Sequence, residues 1–282
     1  MRKFIVGGLM AALAALVLAP AALASSHHPT GEFSNFGECP LSNAKVGTCI
    51  YSKSSSGEFK IGNKAVPLVN PVTLQGGLIG SGEAAEFVGA ENGETLSKTP
   101  QPVPGGLLGI KAPTWWPLFL QNWFNNQINE GFTGVTATVE LAKPASAVKV
   151  NVNNLIEEKG TALGLPVKIK LSNAILGSSC YLGSSSSPVQ INFTTGTSGS
   201  LKGSRGTAEF NEEFTLVTLK GGKLVNGTYS APGVNGCGGI FSFLVDPLVE
   251  SILGVPAGEG KNSATLEGVL QSGARFAVEE SE

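Results

Sequence analysis

The sequence predicts a mainly β fold, an antiparallel sandwich or barrel carrying one to three short helices. First, apolar and polar residues alternate with period two in many short runs, as they do in strands with one buried face. Second, clusters of Gly, Pro, Ser and Asn separate these runs at short intervals. Third, 282 residues with 41% apolar content supply a core large enough for a folded domain.

The strand pattern is clearest in three runs. Apolar residues alternate with polar ones over 135–141, 167–171 and 189–194, which predicts half-buried antiparallel strands. Gly221-Gly222 lies between apolar runs and predicts a hairpin turn, while 184–187 and 196–203 predict exposed loops. Further strands are predicted at 57–61, 65–69, 72–76, 84–88, 146–152, 207–219, 224–230, 238–245, 263–270 and 274–279.

Two segments predict helices on different grounds. In the segment 115–128 a stripe at helical spacing is formed by Trp116, Phe119, Leu120, Trp123, Phe124 and Ile128. The second helix is expected to start at Asp246-Pro247 and to end at Gly254, so that Asp246, the only aspartate, is interpreted as a helix cap.

The N-terminus has the three parts of a secretory signal. A positive start at Arg2 and Lys3 precedes an apolar run, and Ala22 and Ala24 fit the small-residue cleavage pattern before Ser25. We therefore expect a secreted protein, outside the cell or in a periplasm-like space, with no transmembrane anchor after cleavage. The expected organisation is a signal peptide (1–24), a flexible leader (25–38), a β-rich domain (39–278) with two related halves meeting near 131–145 as an option, and an acidic tail (279–282).

The four cysteines predict two disulfides, since an even number in an exported chain indicates bridging. Three pairings are possible. We favour Cys39–Cys49 and Cys180–Cys237, because closing local loops costs less chain entropy.

The residues that are absent exclude several chemistries. His27 and His28 are the only histidines, so a Ser-His-Asp triad or a histidine zinc site is not expected in the body of the chain. No metal, cofactor or catalytic residue is predicted, and a formal net charge of −2 argues against nucleic-acid binding. The enzymatic alternative is a polysaccharide hydrolase that uses two of the glutamates Glu209, Glu212 and Glu213. Strand alternation places Glu212 and Glu213 on opposite faces, so these two do not form one site by themselves.

Four segments together resemble uncharacterised secreted, disulfide-containing β-rich proteins of high-GC Gram-positive bacteria. They are Cys39 with Cys49-Ile50-Tyr51, the glycine-rich run 103–110, the strand 164–168 and the serine-rich segment 176–184. The resemblance implies two bridges and an extracellular location. It implies no activity, so no functional residue is transferred from it.

Two functions are consistent with this sequence. The first is a non-enzymatic protein of the cell exterior with a structural or interaction role, its partner being an envelope component. The alternative is a binder or carrier of an apolar, lipid-like molecule, because aromatic residues are concentrated in one short segment. The predicted ligand-binding residues are Trp115, Trp116, Phe119, Trp123 and Phe124.

Overall fold

The computed structural model describes residues 27–106, 114–123 and 134–282. The described chain is mostly β, with antiparallel sheets arranged as a sandwich and few short helices, so the predicted fold class is confirmed. Predicted features at 1–26, at 107–113 and at 124–133, which include the signal peptide and Phe124, lie outside the described residues.

The strands of the described residues are numbered in chain order. They are β1 (Thr48–Ile61), β2 (Lys64–Pro67), β3 (Val72–Ile79), β4 (Glu86–Gly89), β5 (Gln101–Pro102), β6 (Thr136–Leu141), β7 (Lys149–Val150), β8 (Leu163–Ser172), β9 (Tyr181–Leu182), β10 (Val189–Phe193), β11 (Thr197–Ser198), β12 (Leu201–Lys202), β13 (Thr207–Phe210), β14 (Leu216–Asn226), β15 (Val234–Asn235) and β16 (Ser263–Ala274).

The α-helices of the described residues are short. They are α1 (118–123 within the described residues), α2 (Val152–Glu157), α3 (Ser242–Leu253) and α4 (Arg275–Glu280). Single turns of 3-10 helix cover Gly31–Phe36, Gly82–Ala84, Ala145–Ala147 and Gly239–Phe241.

Two sheets of seven strands each form the sandwich within the described residues. The first sheet runs β13-β14-β16-β1-β3-β4, with β2 also paired to β1, and the second runs β15-β9-β8-β6-β5, with β7 and β10 also paired to β8. The first sheet thus joins strands from before and after the predicted boundary near 131–145. The division of the chain into sheets therefore does not follow that boundary.

The main core lies between the sheets. Val167, Ile169 and Leu171 of β8 are buried while Lys168 and Lys170 between them are half-buried, which is the alternation read from the sequence. Because successive side chains of a strand point to opposite faces, this pattern places every second residue of β8 in the core.

A second, smaller core covers the outer face of the first sheet. Phe33 and Phe36 of the N-terminal 3-10 turn are buried there with Val278 of α4 and the Cys39–Cys49 bridge. His27 Nδ1 lies 2.7 Å from a carboxylate oxygen of Glu282, so the two ends of the described chain meet. Residues 27–38 differ in this way from the expected flexible leader, because two buried phenylalanines fix them.

Two predicted strands are helices instead. Residues 238–245 form a 3-10 turn and the start of α3, and 274–279 fall largely within α4. The segment 238–245 is apolar on two faces, and in 274–279 the apolar residues Ala274, Phe276 and Val278 alternate with Arg275 and Glu279. Period two therefore matches both segments, although no described strand pairs with residues 238–245 or 275–279. Asp246 is also placed differently: it lies inside α3, and its carboxylate accepts hydrogen bonds from the Gly236 and Cys237 amides at 3.2 and 2.8 Å. The end of this helix at Gly254 is as predicted, with the left-handed φ of 70°.

One turn, one strand and one loop also differ from their predictions. Gly221-Gly222 is a bulge within β14, where the register against β16 shifts between Lys220 and Gly222, rather than a hairpin turn. The segment 207–219 is two strands, β13 and β14, joined by a turn. The predicted loop at 196–203 contains the β11–β12 hairpin.

Candidate functional site

An apolar cavity of about 100 Å³ lies between the two sheets. Its wall combines side chains of both sheets, of the loop at Leu176 and of α3; representative members are Phe59, Val66, Leu266, Ile169, Phe193 and Val249. Protein interiors are close-packed, with few voids larger than a water molecule. A void of this size with an apolar wall is therefore the feature of the core best suited to a ligand.

The register between β6 and β8 places four apolar side chains of the cavity wall next to one another. Ala137 of β6 pairs with Leu171 of β8, and Val139 pairs with Ile169, so that four apolar side chains form one continuous patch. Ala137 is the smallest of the four. Its small volume contributes to the space that remains between the sheets.

The polar residues at the cavity lie at one side, near β2 and β5. They are Lys64, Thr99 and Gln101. Gln101 is buried and bonds to the chain: its side-chain oxygen accepts from the Val69 and Asn70 amides at 2.9 Å each, and its nitrogen donates to the Asn70 carbonyl at 2.8 Å. Because Gln101 is engaged in this way, the cavity is chemically apolar.

Burial raises the pKa of two tyrosines. The pKa of Tyr229 is far above its usual range because the residue is buried. Its hydroxyl donates a hydrogen bond to the Lys60 carbonyl at 3.0 Å. Burial also raises the pKa of Tyr51. Neither residue lines the cavity, so both phenols act as neutral packing groups rather than as acids of the site.

The predicted aromatic ligand site lies away from the cavity wall. Trp115, Phe119 and Trp123 are 80%, 70% and 61% exposed, Trp116 is half-buried, and the rings of Trp115 and Trp116 meet edge to face at 6.1 Å. None of these four is among the residues that line the cavity. Their role in binding a ligand stays a prediction.

Helix α3 closes one end of the cavity and is apolar on both sides. Val249 and Leu253 line the cavity, whereas Phe243, Leu244 and Leu248 are 58–70% exposed on the outer side. Ile240 and Phe241, directly before α3, extend this outer surface. Exposed apolar side chains that lie together mark interaction surfaces, and the outer side of α3 has this composition.

Gly106 and Gly134, described residues on either side of the aromatic segment, lie at the end of the cavity that α3 closes. Gly106 lines the cavity, and the Gly134 carbonyl accepts a hydrogen bond from Asn173 at 2.5 Å. Three residues further on, the Leu176 carbonyl accepts from the Gly238 amide, just before α3. The loop at 173–177 therefore connects, through these hydrogen bonds, the chain next to the aromatic segment and the chain that leads into α3.

The Cys180–Cys237 bridge fixes this end of the molecule. Cys180 precedes β9 and Cys237 precedes the turn that leads into α3, and both are fully buried. Both predicted pairings, this one and Cys39–Cys49, are confirmed.

The glutamates of the hydrolase alternative lie at the edge of the first sheet. Glu209 is on β13 and bonds to Lys220 at 2.6 Å, and both side chains are more than half exposed. Glu212 and Glu213 are exposed in the turn that follows β13. Within the described ranges there is no group of three or more His, Cys, Asp or Glu residues placed to hold a metal ion.

Among the residues that the structure describes, no helix has the length and apolar character needed to cross a bilayer. Comparisons of the chain with protein families, with curated proteins and with solved structures found no match.

Proposed function

We propose that this protein binds a small apolar molecule in the cavity between its sheets, and that it does so without catalysing a reaction. The observation that carries the proposal is the apolar void of about 100 Å³ between the two sheets. Engineered protein cavities of about 150 Å³ with similar walls stay dry and bind benzene or xenon. The signal-like N-terminus and the two disulfides support an exported protein that carries out this binding outside the cytoplasm.

The test is thermal unfolding of the mature protein with and without benzene. We expect benzene to raise Tm, because a ligand that binds only the folded state stabilises it. Ala137→Leu places a larger side chain into the cavity and is expected to remove this rise. Ala65→Leu is the matched control, since Ala65 is exposed on β2 and is not part of the wall.

Two results would contradict the proposal. One is an unchanged Tm of the parent protein at saturating benzene. The other is an equal benzene response in Ala137→Leu and in the parent. Native mass spectrometry of protein taken from its own host would in addition identify a retained apolar adduct.

A second candidate function is an interaction role at the cell envelope through the outer side of α3. The observation that favours it is the exposed group Phe243, Leu244 and Leu248 at the end where the aromatic segment is rooted. Tryptophan and phenylalanine side chains suit a surface that is apolar on one side and wet on the other. Residues 238–253 contain no Lys or Arg, so a neutral lipid surface is the expected partner.

Flotation with phosphatidylcholine vesicles tests this second function. We expect the protein to float with the vesicles and Phe243→Ser with Leu248→Ser to abolish flotation. The control is Phe276→Ser, which removes an exposed phenylalanine from α4 instead. Flotation that is absent, or equal in both variants, would exclude the role.

A further inference from the structure

We propose that a separate groove at the β13 edge of the first sheet binds a long-chain carboxylate, with Arg205 holding its headgroup. The groove has a volume of about 600 Å³ and is bounded by α2 on one side. It is distinct from the inter-sheet cavity and shares no lining residue with it. The inference therefore does not depend on what occupies that cavity.

Strand register gives the groove its apolar floor. Phe210 of β13 pairs with Val217 of β14, and Ala208 pairs with Leu219, so these side chains project from the same face of the sheet. Leu219 pairs in turn with Leu270 of β16. These five residues all line the groove.

Helix α2 supplies the opposite wall. Val152, Leu155 and Ile156 line the groove, and Ile156 is 46% exposed. A smaller cavity of about 60 Å³ shares six lining residues with the groove: Ile50, Val150, Leu155, Arg205, Leu219 and Leu270. The apolar surface thus continues inward from the groove, where the end of an alkyl chain would fit.

Arg205 is the single charged residue among those that line this groove. Its guanidinium donates one hydrogen bond in the described structure, from Nη1 to the Ile156 carbonyl at 3.3 Å, and no ion pair of the described residues includes it. The nearby Glu158 carboxylate accepts from the Arg205 backbone amide at 2.9 Å. A guanidinium has five N–H donors, so most of this group is available to a ligand.

Arg275 is an arginine with a structural role in the same fold, and its hydrogen bonds can be compared with those of Arg205. Its guanidinium bonds to Glu279 and to the carbonyls of Leu41, Asn43 and Val46. Arg205 has no comparable set of partners, although it borders an apolar surface.

The chemistry of the groove points to one class of ligand. An apolar floor favours an alkyl chain, and a planar guanidinium binds a carboxylate through two parallel hydrogen bonds. A single cation fits a single anionic headgroup. A ligand with both parts is a long-chain carboxylate.

Equilibrium dialysis with radiolabelled dodecanoate, below its micelle concentration, tests the proposal. We expect saturable binding to the parent protein and weakening on the order of 10–100-fold in Arg205→Gln, since hydrogen bonds to charged groups are the strong ones. The same substitution is expected to leave the weaker binding of 1-dodecanol unchanged, because the alcohol has the chain without the charge. Lys202→Gln is the matched control, as it removes an exposed lysine of β12 that lies outside the groove.

A second pair of variants tests the apolar floor. Phe210→Glu is expected to abolish binding of both probes. Phe214→Glu is expected to leave both intact, because Phe214 is 76% exposed and contacts Phe210 at 5.8 Å between ring centres but does not line the groove. Circular dichroism establishes that each variant is folded.

The inference is overturned if the parent protein shows no saturable dodecanoate binding, or if Arg205→Gln binds dodecanoate as the parent does. Equal losses in Phe210→Glu and Phe214→Glu would also overturn it, because the binding surface would then lie elsewhere.

Discussion

The two disulfides close chain loops of very different length, and this difference predicts their relative contributions to stability. Cys180 and Cys237 are 57 residues apart, whereas Cys39 and Cys49 are 10 residues apart. In the chain-entropy account, a bridge stabilises the fold by restricting the unfolded chain, and the effect grows with the logarithm of loop length.

The magnitudes follow from these separations. At 25 °C the long loop corresponds to about 4.2 kcal/mol and the short loop to about 2.7 kcal/mol, a difference of about 1.5 kcal/mol. All four cysteines are at most 2% exposed, so replacing either pair by alanine removes the same atoms from equally buried sites. Loop length is then the main difference between the two double variants.

Urea unfolding at 25 °C, followed by circular dichroism, measures both losses. We expect Cys180→Ala with Cys237→Ala to lose more free energy of unfolding than Cys39→Ala with Cys49→Ala. The parent protein under reducing conditions is the control and is expected to lose more than either variant. An equal or larger loss from the short loop would refute the reasoning.

Three further predictions concern single residues of the fold. Burial raises the pKa of Tyr229 above its usual 10.0, so its contribution to stability is complete below pH 10 and declines as pH rises above it. Tyr229→Phe is expected to lower the free energy of unfolding by about 1 kcal/mol at pH 8, because a hydrogen bond is lost. Urea unfolding should show this difference between variant and parent disappearing by pH 11. A difference that stays constant with pH would disprove the raised pKa of Tyr229. Gly57→Ala is expected to lower the free energy of unfolding by more than about 2 kcal/mol, because φ is 143° and a Cβ would collide with the Thr265 carbonyl. Gly221→Ala, where a Cβ would meet open space, should lower it by about 1 kcal/mol. Thermal unfolding that ranks the two variants the other way would contradict this. Asp246→Ala should cost about 1–3 kcal/mol by leaving the Gly236 and Cys237 amides without their acceptor, and Asp246→Asn less; equal unfolding midpoints for all three proteins would argue against this anchor.

The β class follows from local patterns, whereas the choice of a sandwich over a barrel does not. Alternation in β6, β8 and β10 predicts strands there because a half-buried sheet has one apolar and one polar face. The disulfide pairing was also predictable, since short-range closure costs the least entropy.

The same patterns failed where apolar residues occupy both faces of a segment. Phe241, directly before α3, and Phe243 within it hide the helical spacing of Val245 and Val249, so a strand and a helix match 238–245 equally well. The choice depends on the Cys237 bridge and the Asp246 hydrogen bonds, which hold the helix across the end of the sandwich.

The candidate sites were still less accessible from sequence. The composition of the aromatic segment predicts a ligand site, yet Trp115 and Trp123 are exposed and do not line the inter-sheet cavity. Residues of the cavity wall such as Ala137 and Ile169 have the same alternation as any packed strand. A void is a property of how side chains from two sheets meet, and no local pattern records it.

The β class, the positions of several strands and the pairing of the two bridges could be predicted from the sequence alone. Periodicity and residue type are local, and they suffice for these features. The tertiary structure alone decided which apolar runs became helices, where space remained between the sheets, and that Arg205 borders an apolar groove beside Phe210. Each of these depends on residues distant in the chain, whose contacts exist only after the sheets pair and pack.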